Sequence, residues 1–111
     1  MIQAEYDRRS LSLTVKGHAG SNVYGKDLVC AAVSALVLTL SANVGRLRDA
    51  GQISEAIVIL EPGNAHIRCR AKQAYRAKVE EVFETVSMGF GMLERKFPRF
   101  VEYRELTIDN G

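Results

Sequence analysis

The sequence contains no tryptophan, only two prolines and two cysteines, and little excess of either charge. Two cysteines are too few to cross-link a small secreted scaffold, and they suit a reducing compartment such as the cytosol. Fifteen Lys and Arg against thirteen Asp and Glu leave a net charge of +2, which is small for a protein that depends on electrostatic binding to nucleic acid. We therefore expect a cytoplasmic protein that does not bind RNA directly.

The length of 111 residues supports one hydrophobic core and is too short for two, so a single domain over residues 1–111 is expected. The first nine residues include no apolar run of the kind that forms a secretory signal. Residues 28–45 carry no charge and approach the length that spans a membrane. Their four polar residues, and the absence of a basic cluster on one side only, favour a buried helix instead, so no membrane association is expected.

Alternation of apolar and polar residues predicts two β-hairpins. The alternation covers residues 2–6 and 11–15, which is typical of two strands that each have one exposed face. A second pair of strands is predicted at residues 56–60 and 65–71. The intervening segment 61–64 is Glu-Pro-Gly-Asn, in which proline presets φ and glycine accepts a positive φ, so a tight turn is expected there.

Two long helices are predicted. The first, at about residues 26–47, is apolar or small on nearly every side, so we expect a second helix, a partner subunit or both to cover the face that the sheet leaves open. The second, at about residues 75–97, is amphipathic and ends before Pro98. A last strand is expected at residues 100–106. The order β-β-α-β-β-α-β predicts an α+β fold in two layers, with a mostly antiparallel sheet.

Two glycines interrupt the second predicted helix. Glycine in a helix interior costs up to about 1 kcal/mol relative to alanine. Gly89 and Gly91 therefore mark either a weak point or a place where the two helices approach closely. In the second case, the predicted neighbours on the first helix are Ala31, Ala32 or Ala35.

The residues most suited to chemistry lie between the first hairpin and the first helix. His18 follows a strand on a glycine-rich loop, and Cys30 is predicted in the first turn of the helix, whose positive end lowers the pKa of a thiol. An imidazole within hydrogen-bonding distance would complete a nucleophile–base pair. The alternative is a buried structural cysteine and an ordinary histidine at a strand end.

The second histidine and the second cysteine do not suit a shared site. His66 and Cys69 are three residues apart on a predicted strand, so they point to opposite faces. Cys69 shares a side with Ile67, which places it in the core, whereas His66 is expected in water beside the arginines of that strand. Neither a zinc site nor any cofactor is expected, because a zinc site would need all four His and Cys residues to converge.

Two other patterns suggest alternative functions. Residues 20–26 fit the G-x-x-x-x-G-K phosphate loop of a nucleotide-binding protein, but Asp27 stands where magnesium binding needs Ser or Thr. The loop also follows a strand that is read as part of a hairpin. Five basic residues within 68–78 suggest a non-catalytic module that binds the ribosome or RNA. A solvated strand face with i,i+4 pairing of Arg76 and Glu80 is the favoured explanation.

Residues 17–36, GHAGSNVYGKDLVCAAVSAL, closely resemble the ribosomal-processing cysteine protease family called Prp. The hallmark of that family is a Gly-His-Ala-Gly loop followed by a helix that starts Asp-Ile/Leu-Val-Cys-Ala. The resemblance implies a homodimer of small α/β subunits whose dyad is formed by His18 and Cys30, under a loop that closes over the substrate. It also implies removal of a short N-terminal extension from a large-subunit ribosomal protein, the L-type protein numbered twenty-seven.

Four further residues are candidates for supporting roles. The loop amides near Ala19 and Gly20 are candidates for an oxyanion hole. Ser34 lies one turn beyond Cys30 and either hydrogen-bonds in the site or bonds back to the Cys30 carbonyl. Three roles are open for Asp27. It is a favourable charge in the first turn of the helix, it orients the His18 imidazole, or it contacts a basic residue of the substrate. Its carboxylate should be paired, because an uncompensated charge would oppose thiolate formation.

Overall fold

The computed structural model describes residues 1–19 and 26–106, and these residues form a five-stranded sheet with two helices packed on one of its faces. The predicted order of elements is confirmed. A short 3-10 turn, Gln73–Tyr75, precedes the second helix. The elements are β1 (Ile2–Asp7), β2 (Ser12–Gly17), α1 (Lys26–Asp49), β3 (Ile53–Glu61), β4 (Asn64–Ala71), α2 (Arg76–Lys96) and β5 (Val101–Leu106).

The strands follow the spatial order β3-β4-β2-β1-β5. The pairs β1–β2, β2–β4 and β3–β4 are antiparallel, so the predicted α+β class and the mostly antiparallel sheet are confirmed. The pair β1–β5 is parallel, which makes the sheet mixed. The reason lies in the connection, because α2 carries the chain across the helical face so that β5 runs in the same direction as β4.

Side-chain alternation separates a packed face of the sheet from a solvated one. Tyr6, Leu13 and Ile67 are almost fully buried beneath the helices. The predicted first strand pair is shifted at one position, because Leu11 belongs to the hairpin turn and β2 begins at Ser12. Leu11 has φ 52°, outside the range of a strand, yet its side chain is fully buried. Burial of that side chain offsets the strain of its backbone.

Helix α1 buries one side only. Leu28 and Leu38 on its other side are 62% and 58% exposed, so the described residues leave that side uncovered. By length and composition alone the segment Leu28–Asp49 is apolar enough to cross a membrane, a property that the core helices of soluble proteins share. The residues that α1 buries in the core are Val29, Val33, Val37, Leu40, Val44 and Leu47.

Helix α2 approaches α1 closely at Gly89. A Cβ atom added there would lie 2.7 Å from Cδ2 of Leu36, which is too close for an undisturbed contact. The close approach predicted for this glycine is therefore present, but the nearest atoms belong to Leu36 and not to the alanines expected, because α1 turns its larger side chain toward α2. Gly91 differs, since a Cβ there would make an ordinary contact of 3.8 Å with Tyr103 of β5.

Candidate active site

A cavity of about 420 Å³ opens where the end of β2, the first half of α1 and the β3–β4 turn meet. His18, Cys30 and Ser34 all line it. The walls beside these polar side chains are apolar, and they include Leu38 of α1 and Leu60 of β3. The end of β2 and helix α1, which follow one another in the chain, therefore bring the predicted imidazole and thiol to one space.

The backbone that leads to His18 is held at several points. Gly17 ends β2 with φ 102°, and a Cβ atom on it would overlap the carbonyl oxygen of Met1. The Gly17 N–H donates a hydrogen bond of 3.0 Å to the carbonyl oxygen of Gly63 in the β3–β4 turn. The Met1 nitrogen donates another of 2.6 Å to the carbonyl oxygen of His18. These bonds join the end of β2 to both neighbouring strands.

Cys30 is exposed, so the alternative of a buried structural cysteine does not apply to it. It is the fifth residue of α1, which begins at Lys26, and not a residue of the first turn as predicted. The field of a helix dipole falls off within the first turn. The dipole therefore acts less on this thiol than the sequence suggested, and a neighbouring base becomes more important for its activation.

The other cysteine is in a different environment. Cys69 is 5% exposed in the core, as predicted, and burial raises the pKa of its thiol to about 11. His66 is half-buried on the opposite face of β4, where its Nδ1 atom and the Thr14 hydroxyl share a hydrogen bond of 2.8 Å. This Thr14 partner was not predicted, because the pairing of β2 with β4 is not evident from local sequence patterns. A buried, protonated thiol is a poor nucleophile.

Of the four candidates for supporting roles, the structure fully describes Ala19 and Ser34. The side chain of Ala19 is buried, which anchors the start of the loop in the core. Ser34 is exposed on the cavity, and its hydroxyl makes no hydrogen bond to the Cys30 carbonyl within the described residues. Gly20 and the side chain of Asp27 lie outside those residues, so their roles stay predictions. Within residues 1–19 and 26–106, no three His, Cys, Asp or Glu side chains are grouped as metal ligands.

The structure also bears on the two alternative functions, nucleotide binding and RNA binding. The phosphate-loop residues 20–25 lie outside the described residues, but β2 pairs antiparallel with both of its neighbours, whereas a phosphate loop follows a strand of a parallel sheet. In the basic segment, the predicted pair exists, because Arg76 Nε donates a hydrogen bond of 2.8 Å to Glu80. Arg70 approaches Glu55 at 3.5 Å. These contacts leave less free positive charge than the sequence alone suggests.

The contact of the β3–β4 turn with His18 was not evident from the sequence, although the turn itself was predicted. Gly63 lies beside the His18 ring, so closely that a Cβ atom on it would be 2.7 Å from Cε1 of the imidazole. The Pro-Gly pair indicated a turn, and Gly63 has the expected positive φ of 72°. Nothing in the local pattern indicated that this turn would meet a residue 45 positions earlier in the sequence.

Comparisons with known proteins identify a family and several similar structures. The family described as Cysteine protease Prp matches residues 1–102. The crystal structure of SMU.848 from Streptococcus mutans is 31% identical, with a TM-score of 0.69 over 97% of this chain and 96% of that chain. Similar folds occur in two structures of an essential ribosomal processing protease Prp from S. aureus. No curated protein matches the sequence.

Of the two S. aureus structures, one contains a covalently linked product peptide and has 18% identity and a TM-score of 0.71. The other contains a substrate peptide and has 17% identity and a TM-score of 0.72. Each comparison covers 96% of this chain and 100% of the other chain. At this level of identity, the likeness concerns the fold.

Proposed function

The chain belongs to the cysteine protease Prp family, and we propose that it is an endopeptidase with a dyad of His18 and Cys30. Its proposed substrate is a large-subunit ribosomal protein, the L-type protein numbered twenty-seven, from which it removes a short N-terminal extension in support of ribosome assembly. The observation that carries the proposal is the shared cavity, since both side chains line it. The S. aureus ribosomal processing proteases, which share the fold, support the substrate class.

The proposed reaction is nucleophilic acyl transfer. The His18 imidazole accepts the thiol proton of Cys30, and the thiolate attacks the carbonyl carbon of the scissile peptide bond. The tetrahedral intermediate collapses to a thioester as the imidazolium protonates the leaving amine. Water then hydrolyses the thioester, which releases the new carboxylate and restores the thiol. The loop amides near Ala19 and Gly20 are proposed to stabilise the oxyanion.

The shape and lining of the cavity suit a peptide. Its volume of about 420 Å³ lies within the usual range for binding pockets, about 300–1,000 Å³. Val33, Val37 and Leu38 line it from α1, and Leu60 lines it from β3. Apolar walls next to a thiol and an imidazole favour a substrate with an apolar side chain near the cleaved bond. The loop that is expected to close over the substrate, residues 20–25, lies outside the described residues.

A homodimer is part of the same proposal. Strand β3 is an edge strand of nine residues, and Val58 and Leu60 on its helical face are 41% and 45% exposed. Leu38 of α1 lies at the same cavity and is 58% exposed. A long apolar edge strand needs a cover, and a second copy supplies one with the same surface about a twofold axis. The dimer is proposed to act in the cytoplasm, without a membrane or a cofactor.

Cleavage of an extended substrate tests the proposed dyad. The full chain is incubated with the extended ribosomal protein, and the products are identified by mass spectrometry. Cys30→Ala and His18→Ala should each abolish cleavage, because one removes the nucleophile and the other its base. Cys69→Ala is the matched control and should retain it, since Cys69 is buried in the core. Cleavage that persists in Cys30→Ala, or that disappears in Cys69→Ala, would overturn the assignment.

The dimer is tested separately by light scattering during size-exclusion chromatography. Leu38→Glu should produce a monomer, because it places a charge in the proposed apolar interface. Met88→Glu on α2 is the control, since Met88 is even more exposed at 69% but lies outside that interface. A wild-type monomer, or a Leu38→Glu dimer, would contradict the proposed surface.

A further inference from the structure

The β3–β4 turn lies directly against the proposed base. A Cβ atom on Gly63 would stand 2.7 Å from Cε1 and 3.3 Å from Cδ2 of the His18 imidazole, and it would overlap Nε2. The ring therefore occupies the space that any side chain at position 63 would need. Only glycine allows this approach.

The turn that contacts the ring is also bonded to the strand that carries His18. The carbonyl oxygen of Gly63 accepts the hydrogen bond of 3.0 Å from Gly17, the residue immediately before His18. Lys16 and Asn64 are paired in the β2–β4 register, so the turn is attached to the strand that carries the histidine. Asn64 also donates a hydrogen bond of 3.2 Å to Glu61 across the turn. The same turn thus bonds to the backbone next to His18 and lies against one side of its exposed ring.

We propose that Gly63 is a positioning residue, which seats the imidazole of His18 so that it faces the cavity shared with Cys30. This inference rests on the proposed dyad for its functional consequence, but the contact between the turn and the ring does not depend on catalysis. A side chain at position 63 displaces the ring, while the turn and the sheet remain. Proton transfer from the thiol requires close geometry, so a displaced ring is a less effective base.

The chain offers a matched control for backbone strain. Gly63 and Gly51 have φ values of 72° and 70°, so alanine is strained to a similar degree at both positions. A Cβ atom on Gly51 would meet only Nζ of Lys72 at 3.8 Å, which is an ordinary contact. Any effect that Gly63→Ala has and Gly51→Ala lacks is therefore due to the His18 ring.

The functional experiment measures two rates in the full chain, cleavage of the extended substrate and alkylation of Cys30 by iodoacetamide between pH 5 and pH 9. Gly63→Ala should lower kcat about tenfold or more with little change in KM. It should also shift the pH profile of alkylation toward that of His18→Ala. Gly51→Ala should stay within about twofold of wild type. In the His18→Ala background, Gly63→Ala should cause no further loss. Wild-type kcat and alkylation in a folded Gly63→Ala protein would overturn the inference.

The NMR signals of the His18 imidazole separate this inference from the proposed function. They should move in Gly63→Ala and stay in place in Gly51→Ala, and unmoved signals in both would overturn the positioning role. If His18→Ala cleaves normally while the signals move, the dyad fails and the contact stands. Should Gly63→Ala not fold, Gly63→Asn and Gly51→Asn replace the pair, because asparagine tolerates a positive φ but still carries a Cβ atom. The same changes in the His18 signals then support or overturn the positioning role of Gly63.

Discussion

The ring of Tyr6 stacks on that of Phe83, with centroids 6.0 Å apart, and places its hydroxyl in the core without a hydrogen-bond partner among the described residues. The stack joins β1 to α2 beneath the helical layer. Burial, together with Glu84 and Glu80, raises the pKa of Tyr6 above its ordinary value. The ring therefore contributes as an apolar group, and its hydroxyl costs desolvation.

Tyr6→Phe should leave the free energy of unfolding unchanged or raise it by about 1 kcal/mol, because it removes a buried hydroxyl and keeps the stack. Urea unfolding at pH 7 measures the change. Phe83→Leu is the comparison, and it should lower the free energy of unfolding by about 1–3 kcal/mol through loss of the stacked ring. A loss in Tyr6→Phe as large as that in Phe83→Leu would show that the hydroxyl is satisfied.

Cys69 should make the fold sensitive to alkaline pH. Its pKa is about 11 in the folded protein against an ordinary 9.0, so the unfolded chain loses this proton first. The contribution of this shift to the free energy of unfolding, about 2–3 kcal/mol, is fully present below pH 9 and is lost as the pH rises through 11. In urea unfolding, Cys69→Ala should lose less stability between pH 8 and pH 11 than wild type. An equal loss in both proteins would contradict the raised pKa, since the tyrosines titrate in both.

Gly89→Ala tests the close approach of the helices. Alanine gains up to about 1 kcal/mol of helix propensity over glycine. That gain should appear in Gly45→Ala of α1, where a Cβ atom would meet nothing within 4 Å. At Gly89 the Cβ atom forces Leu36 to move, and overpacking costs about 1–3 kcal/mol, so Gly89→Ala should be the less stable variant by thermal or urea unfolding. In a Leu36→Ala background the difference between the two glycine sites should largely vanish, and its persistence would exclude this contact.

Glu80 should contribute to stability only above acidic pH. The hydrogen bond from Arg76 holds the pKa of this carboxyl below its ordinary 4.5, with further help from Arg8. The contribution is present above pH 4.5 and disappears as the pH falls through the lowered pKa. Glu80→Gln should therefore cost about 0.5–1 kcal/mol at pH 7 and almost nothing at pH 2, as measured by urea unfolding. A cost that does not change with pH would assign the effect to packing.

The part of the fold that could be predicted depends on local periodicity. Alternation placed Ile67 and Cys69 on the packed face, and helical spacing placed Phe83 and Phe90 in the core. Alternation determines which face a side chain takes but not which strand lies beside it. The parallel β1–β5 pair and the hydrogen bond between Thr14 and His66 therefore lay beyond local reasoning.

The candidate site, like the fold, could be predicted from the sequence only in part. The Gly-His-Ala-Gly and Asp-Leu-Val-Cys-Ala segments identified His18 and Cys30 as candidates, because both motifs lie in one short stretch of sequence. Leu60, which lines the cavity, and Gly63, which lies against the His18 ring, belong to a hairpin that is distant in sequence from His18 and Cys30. Their contribution depends on the β2–β4 register, which only the folded sheet reveals.

The parallel pairing of β1 with β5 also concerns how the protein is made. Ile2, which lines the cavity, is paired with Val101, so its neighbour in the sheet is synthesised after nearly all other described residues. While β5 is still inside the ribosomal exit tunnel, β1, the strand that carries Ile2, has no strand on one of its sides. Such distant pairings form late and slowly. The sheet that bears the cavity is consequently completed only when β5 pairs with β1.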